Sequence, residues 1–133
     1  MRAGFIGLGA MGGPMAGHLH ARGLLAAVGN RNATKAITFA AQHEGVLATS
    51  RAFDYATCDV VVLCVSADAD VMQNVFALAG VLNPGSVVID HSTVAANTAR
   101  EAHAELARRG IGFLDAPVSG GVEGARNGKL SIM

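Results

Sequence analysis

Near the start of the chain, Gly7-Leu8-Gly9-Ala10-Met11-Gly12 places glycine at the spacing G-x-G-x-x-G. Such a run can hold a diphosphate when it joins a strand to a helix. Gly7 permits a tight turn, Gly9 lets an anion approach bare backbone, and Gly12 lets the helix lie close on the strand. The free N–H groups and partial positive charge of the helix N-terminus then face the phosphates. Eighteen residues beyond Gly12 stands Asn30, followed by Arg31. A site for an unphosphorylated ribose carries Asp or Glu at about this distance, bonded to the ribose hydroxyls. A guanidinium can instead chelate a 2′-phosphate through paired N–H donors. NADP is therefore the expected cofactor and NAD the less favoured one, with Thr34 and Lys35 one turn further on as helpers.

Three later clusters carry polar atoms to places where chemistry happens in such proteins. Cys64, Val65 and Ser66 end an apolar run and are candidates for contact with the cofactor, although a thiol at Cys64 also suits inert packing. Ser92 and Thr93 follow the next apolar run, where they can face the nicotinamide half of the cofactor or cap a helix. Asp115-Ala116-Pro117-Val118-Ser119-Gly120-Gly121 supplies a hydroxyl and two glycine N–H groups, a combination that can cradle a carboxylate or form an ordinary turn. Five histidines are scattered; His18 and His20 are two apart on an expected helix and point to different faces. No metal site is expected. Arg108 and Arg109 most simply complement a helix C-terminus.

The elements that must position these residues alternate. Strands are expected over Ala3–Gly7, Leu24–Val28, Val46–Ala48, Val60–Val65, Ser86–Asp90 and Ile111–Asp115. Helices are expected from Pro14 to Arg22, from Ala33 to His43 with Asn32 as cap, from Asp68 or Asp70 to about Ala79, and from about Ala95 to Arg109. Val60-Val61-Val62-Leu63-Cys64-Val65 does not alternate, which means burial on both faces and hence a parallel sheet. The fold class is α/β, a doubly wound parallel sheet of the Rossmann type. Beyond Pro117 the reading is a glycine-rich tail finishing in the apolar, strand-like stretch 130–133, a finish that suggests truncation.

Composition narrows the function. The 133 residues carry 10 Lys+Arg and 10 Asp+Glu, a net charge of 0, with 51% hydrophobic and 15% charged residues. A disordered chain needs the opposite balance. Nucleic-acid binding is not expected without a basic surface or aromatic platforms, since Trp is absent and Tyr occurs once. The apolar stretch 3–17 after Arg2 is interrupted by glycines and Pro14, making a poor signal-peptide core, and no run approaches the roughly 20 residues of a membrane span. Two cysteines make no disulfide scaffold, and a reducing, cytoplasmic compartment is expected.

With the motifs laid out, residues Gly4 to Ala16, Asp90-His91-Ser92-Thr93-Val94, and Asp115 to Ala125 with Gly128 to Met133 resemble, in order, the signatures of the β-hydroxyacid dehydrogenases. That family includes 3-hydroxyisobutyrate dehydrogenase-like enzymes and is related to 6-phosphogluconate dehydrogenase. The resemblance implies an NAD(P)-dependent oxidoreductase moving hydride between nicotinamide and a small hydroxy acid or its semialdehyde. It implies that Ser119, Gly120 and Gly121 hold the substrate carboxylate, that Thr93 lies near nicotinamide and substrate, and that Asn30-Arg31 goes with NADP. It further implies that residues 1–133 are the dinucleotide-binding domain, with 116–133 as substrate-binding segment and the start of a connection to an absent C-terminal helical domain. The family's proton-transferring lysine lies beyond Met133, so no catalytic residue is assigned and little turnover is expected of this chain alone. His18 and Ala96 stand where the family usually has Asn and Pro. Two alternatives remain beside this one: a non-catalytic NADP-binding module, and imine reduction on the same scaffold. A homo-oligomer is also an expected assembly, through apolar surface left uncovered.

Overall fold

The computed structural model describes all residues from Met1 to Met133. Strands β1 (Ala3–Ile6), β2 (Leu25–Gly29), β3 (Leu47–Ala48), β4 (Val60–Leu63), β5 (Val87–Asp90) and β6 (Gly112–Asp115) form one sheet in the order β3-β2-β1-β4-β5-β6, every pair parallel. Helices α1 (Gly12–Ala21), α2 (Ala33–Gln42), α3 (Asp68–Ala79) and α4 (Ala96–Ala107) make the crossovers. Strand order reverses between β1 and β4, and the crevice of a doubly wound sheet opens at the carboxyl ends beside that reversal.

The unalternating run of β4 is explained by its two faces. Val61 and Leu63 join the larger core cluster, with Val71, Val75 and Leu78 of α3 and Leu106 of α4. Val62 points the other way, into a cluster with Phe5, Val28, Ala16 and Phe39. Both sheet faces are covered, which is why hydrophobic residues follow one another without a polar partner.

Local chemistry sets the ends of the elements. The Asn32 side chain accepts from Thr34 N at 3.1 Å and caps α2 as expected. α1 begins at Gly12, two residues before Pro14, and has no side-chain cap. β1 and β4 stop at Ile6 and Leu63, earlier than expected, so that Gly7, Cys64 and Val65 lie in the turns above the sheet. α4 is not capped by Ser92 or Thr93. Its N-cap is Ala95, and Asp68 at the start of α3 reaches across to accept from Ala95 N at 3.0 Å and Thr98 Oγ1 at 2.7 Å. Those two bonds hold the Asp68 carboxyl below the usual range.

Two segments hold elements that the sequence pattern did not show, although the strand-like finish of the chain was expected. Ala52–Tyr55 forms a single 3-10 turn in the crossover from β3 to β4. The tail after Pro117 is ordered into a hairpin-like unit: β7 (Val118–Ser119) pairs antiparallel with β8 (Ser131–Ile132), and the six-residue helix α5 (Gly121–Arg126) lies between them. His18 of α1 fastens this unit, its Nε2 donating to the Ala125 carbonyl at 2.8 Å.

Candidate functional site

A cleft of about 550 Å³ opens at the carboxyl ends of β1, β2 and β4, between the Gly7–Gly12 turn, the 3-10 turn and α3. Its first wall is main chain. Gly7 has φ +108° and is pressed against the Cys64 carbonyl, which a Cβ would overlap. Gly12 is pressed on Gly7 in the same way: a Cβ there would overlap the Gly7 carbonyl oxygen. Around Gly9, by contrast, no atom lies within 4 Å of where a Cβ would stand. The turn is therefore closed on the protein side and open on the cleft side, the shape a ligand's phosphate needs from bare backbone.

The second wall is built from side chains. Asn30 holds the turn in register, accepting from Leu8 N at 2.8 Å and donating through Nδ2 to the Asn32 carbonyl at 3.1 Å. Both its polar ends are thereby occupied. Arg31, next to it, is 82% exposed and extends over the mouth, where its Nη1 stands 3.5 Å from Asp70 Oδ1 of α3. Lys35 adds a second cation to the same rim. β2 itself ends without a carboxylate; the one acid at this corner, Asp70, comes from α3 on the opposite side of the cleft.

At the far end of the sheet edge a buried network ties the loops together. Ser92 Oγ accepts from Val65 N at 2.8 Å, and Ser92 N donates to Asp90 Oδ1 at 2.9 Å. Asp90 is fully buried and its Oδ2 has no partner. Burial pushes its carboxyl up, against the opposing pull of the Ser92 bonds. Burial likewise raises the Cys64 thiol, with the Asp90 charge adding to it.

Of the residues singled out from sequence, Gly7, Gly9, Asn30, Arg31, Cys64, Val65 and Ser66 border the cleft. Leu8, Ala10, Met11, Gly12 and Thr34 do not border it; Leu8, Gly12 and Thr34 support it from behind through the contacts above. Ser92 is a clasp between two loops, a third use beside the two foreseen, and Thr93 is exposed. Ser119, Gly120 and Gly121 lie outside this cleft, all exposed, with Gly120 and Gly121 at φ +132° and +64° where β7 turns into α5. Sequence reasoning missed Asp70, Gln73, Asn74 and Tyr55 as cleft residues. The first three could have been found from the position of α3 opposite β2 in a doubly wound sheet. Nothing local marked Tyr55.

The pattern of the NAD binding domain of 6-phosphogluconate dehydrogenase matches residues 2–133. An uncharacterized oxidoreductase of Shewanella frigidimarina (strain NCIMB 400) is 42% identical over 135 residues, covering 99% of this chain and 46% of that protein. Among solved structures, 3-hydroxyisobutyrate dehydrogenase of Mycobacterium tuberculosis with L-serine superposes at a TM-score of 0.91 and 33% identity, covering 100% of this chain and 46% of that one. Psf3 in complex with NADP+ and 2-OPP superposes at 0.88 and 34% identity, covering 98% and 47%. The chain thus spans about half the length of the relatives it matches.

Proposed function

The chain belongs to the family of the NAD binding domain of 6-phosphogluconate dehydrogenase, on the β-hydroxyacid dehydrogenase branch, and from that premise we propose that it binds NADP in the cleft above β1, β2 and β4 and serves hydride transfer to or from a small hydroxy acid or its semialdehyde. The observation that carries the cofactor choice is the Arg31 guanidinium, largely free in solvent at the end of a strand that supplies no carboxylate. The glycine turn fits a diphosphate because a Cβ would fill its inner side while its outer side is open. Gly7, Gly9 and the start of α1 would hold the diphosphate, with Leu8, Ala10, Met11 and Gly12 shaping the turn. Asn30 orients the ribose corner, Arg31 takes the 2′-phosphate, and Thr34 and Lys35 add to the field there.

When bound, the nicotinamide supplies or accepts the hydride. Cys64, Val65, Ser66 and Thr93 would border it, and the Ser92 clasp keeps the two loops that carry them at a fixed spacing. Ser119, Gly120 and Gly121 in the segment 116–133 would receive the substrate carboxylate. Support for slow turnover by these residues alone comes from the lysines: Lys35 sits at the ribose end of the cleft and Lys129 is exposed after α5. Without a placed proton donor the reaction forgoes about 10²–10⁴-fold of assistance. A cytoplasmic setting belongs to the same proposal, supported by two unpaired cysteines; no helix is long and apolar enough to cross a membrane.

Titration of the chain with NADPH and NADH, followed by nicotinamide fluorescence, tests the proposal. NADPH is expected to bind more tightly by roughly 10- to 150-fold, the worth of a charge-assisted phosphate contact, and Arg31→Ala is expected to abolish the difference. Equal or tighter binding of NADH by the wild-type chain would refute it.

A further inference from the structure

The deep end of the cleft closes on Tyr55, the one tyrosine of the chain. It ends the 3-10 turn and is 2% exposed. Two strand glycines make its slot. A Cβ on Gly4 of β1 would overlap ring atom Cδ1, and a Cβ on Gly29 of β2 would stand 2.6 Å from the hydroxyl oxygen. The phenol thus passes along two bare strand positions; its hydroxyl stands at Gly29, where the Thr49 carbonyl and Ile6 Cγ1 also come close, and Tyr55, Gly29 and Ile6 all border the cleft. There the hydroxyl is buried, and no protein group hydrogen-bonds it. Burial is the main reason its pKa is pushed up, with Cys58 and Asp54 adding to the effect, so the group keeps its proton and can both donate and accept.

An unpaired buried hydroxyl is a cost that phenylalanine would not incur in the same slot. Its position says what would pair it. Gly29 directly precedes Asn30 and Arg31, the proposed ribose corner, and the base is the part of a dinucleotide joined to that ribose. Ile6, Ala52, Ala77 and Leu78 give the cleft apolar lining suited to the flat faces of a purine, whose hydrogen-bonding groups all lie on its edges. We propose that the Tyr55 hydroxyl hydrogen-bonds the polar edge of the adenine base. This assignment depends on the cleft being the nucleotide site.

The test pairs Tyr55→Phe with two ligands measured by calorimetry, adenosine 2′,5′-bisphosphate and ribose 2,5-bisphosphate, which lacks the base. The variant is expected to bind the adenosine ligand about two- to tenfold more weakly, one neutral hydrogen bond's worth, and the base-free ligand as the wild type does. The unliganded variant is expected to melt at or above the wild-type temperature, because it loses an unpaired hydroxyl and no partner. Unchanged affinity for the adenosine ligand, or an equal loss for both ligands, would overturn the assignment. So would a variant that melts lower with no base-dependent loss. Failure of the wild-type chain to bind either NADPH or adenosine 2′,5′-bisphosphate would be a different result: it would sink the nucleotide site itself, and Tyr55's role with it.

Discussion

The two ends of one cleft are made of different material. At the glycine turn the wall is main chain pressed on main chain, Gly12 on Gly7 and Gly7 on Cys64. At the ribose corner it is side chains reaching into solvent, Arg31 toward Asp70 across the mouth. The turn cannot change without the sheet, because its contacts also join α1 to β1 and β1 to β4. The corner can change freely, because nothing in the core rests on Arg31. Fold and general affinity for a diphosphate are thus set at one end, and the choice between dinucleotides at the other.

Gly12→Ala attacks the first end and has the largest expected effect. A methyl group usually helps a helix, by about 1 kcal/mol relative to glycine. Here it meets a carbonyl oxygen in a turn that has no slack, and overpacking typically costs about 1–3 kcal/mol, with backbone in the way placing this case at the upper end. The strain should win: a lower midpoint in denaturant and loss of NADPH and NADH binding together. A variant with wild-type stability that binds both would show the turn to be looser than the contact implies. Arg31→Ala is the matching change at the corner, and the loss of NADPH preference expected of it should come with an unchanged denaturation midpoint. A fall in stability there would erase the distinction between the two ends.

Asp90→Asn probes the main-chain end from below, where Asp90 holds Ser92 and Ser92 holds Val65. Burial raises the Asp90 pKa, so the folded state takes up a proton at higher pH than the unfolded chain does. Wild-type stability from this group therefore falls as pH rises through the folded pKa, and is fully present only near or below the unfolded value of about 3.9. Asparagine keeps an acceptor for Ser92 N and carries no charge. It should stabilise the chain at pH 7, an advantage that shrinks as pH approaches 4. Denaturation midpoints at the two pH values measure it; an advantage that persists in acid would mean that the charge is not its source.

The same division explains what was legible in the sequence. The sheet could be read because its signals are local: the spacing of Gly7, Gly9 and Gly12, the β-branched run of β4, and Asn32 two residues before Thr34. The main-chain end of the cleft came with it. What stayed hidden depends on residues meeting across the fold. Asp70 read as the start of a helix, and only the order β2-β1-β4 sets it opposite Arg31. Asp68 read only as a start of its own helix, and its hold on the start of α4 showed in no local pattern. Tyr55 sits in a crossover with no periodicity, and its slot exists because Gly4 and Gly29 are on neighbouring strands. Of the unit after Pro117 only the strand-like finish at β8 was readable; β7 and α5 were hidden for a further reason, since elements of two and six residues are too short to show a period.

The contact between Arg31 and Asp70 gives the smallest effect and the finest test of the corner. At 3.5 Å with the arginine in solvent, the pair contributes little to stability, about 0–1 kcal/mol. Its consequence is for the ligand. A 2′-phosphate must draw the guanidinium away from a carboxylate that also repels it, so the acid opposes the NADP preference that the arginine creates. Asp70→Asn should then tighten NADPH by about two- to fivefold, in line with an exposed pair of this kind, while NADH changes less. Salt should narrow the gap between wild type and variant, because both interactions are exposed to screening. Weaker NADPH binding in Asp70→Asn would mean that the carboxylate holds the ligand or positions Arg31 for it, and the corner would then be a preformed side-chain site, as fixed in its own way as the glycine turn opposite.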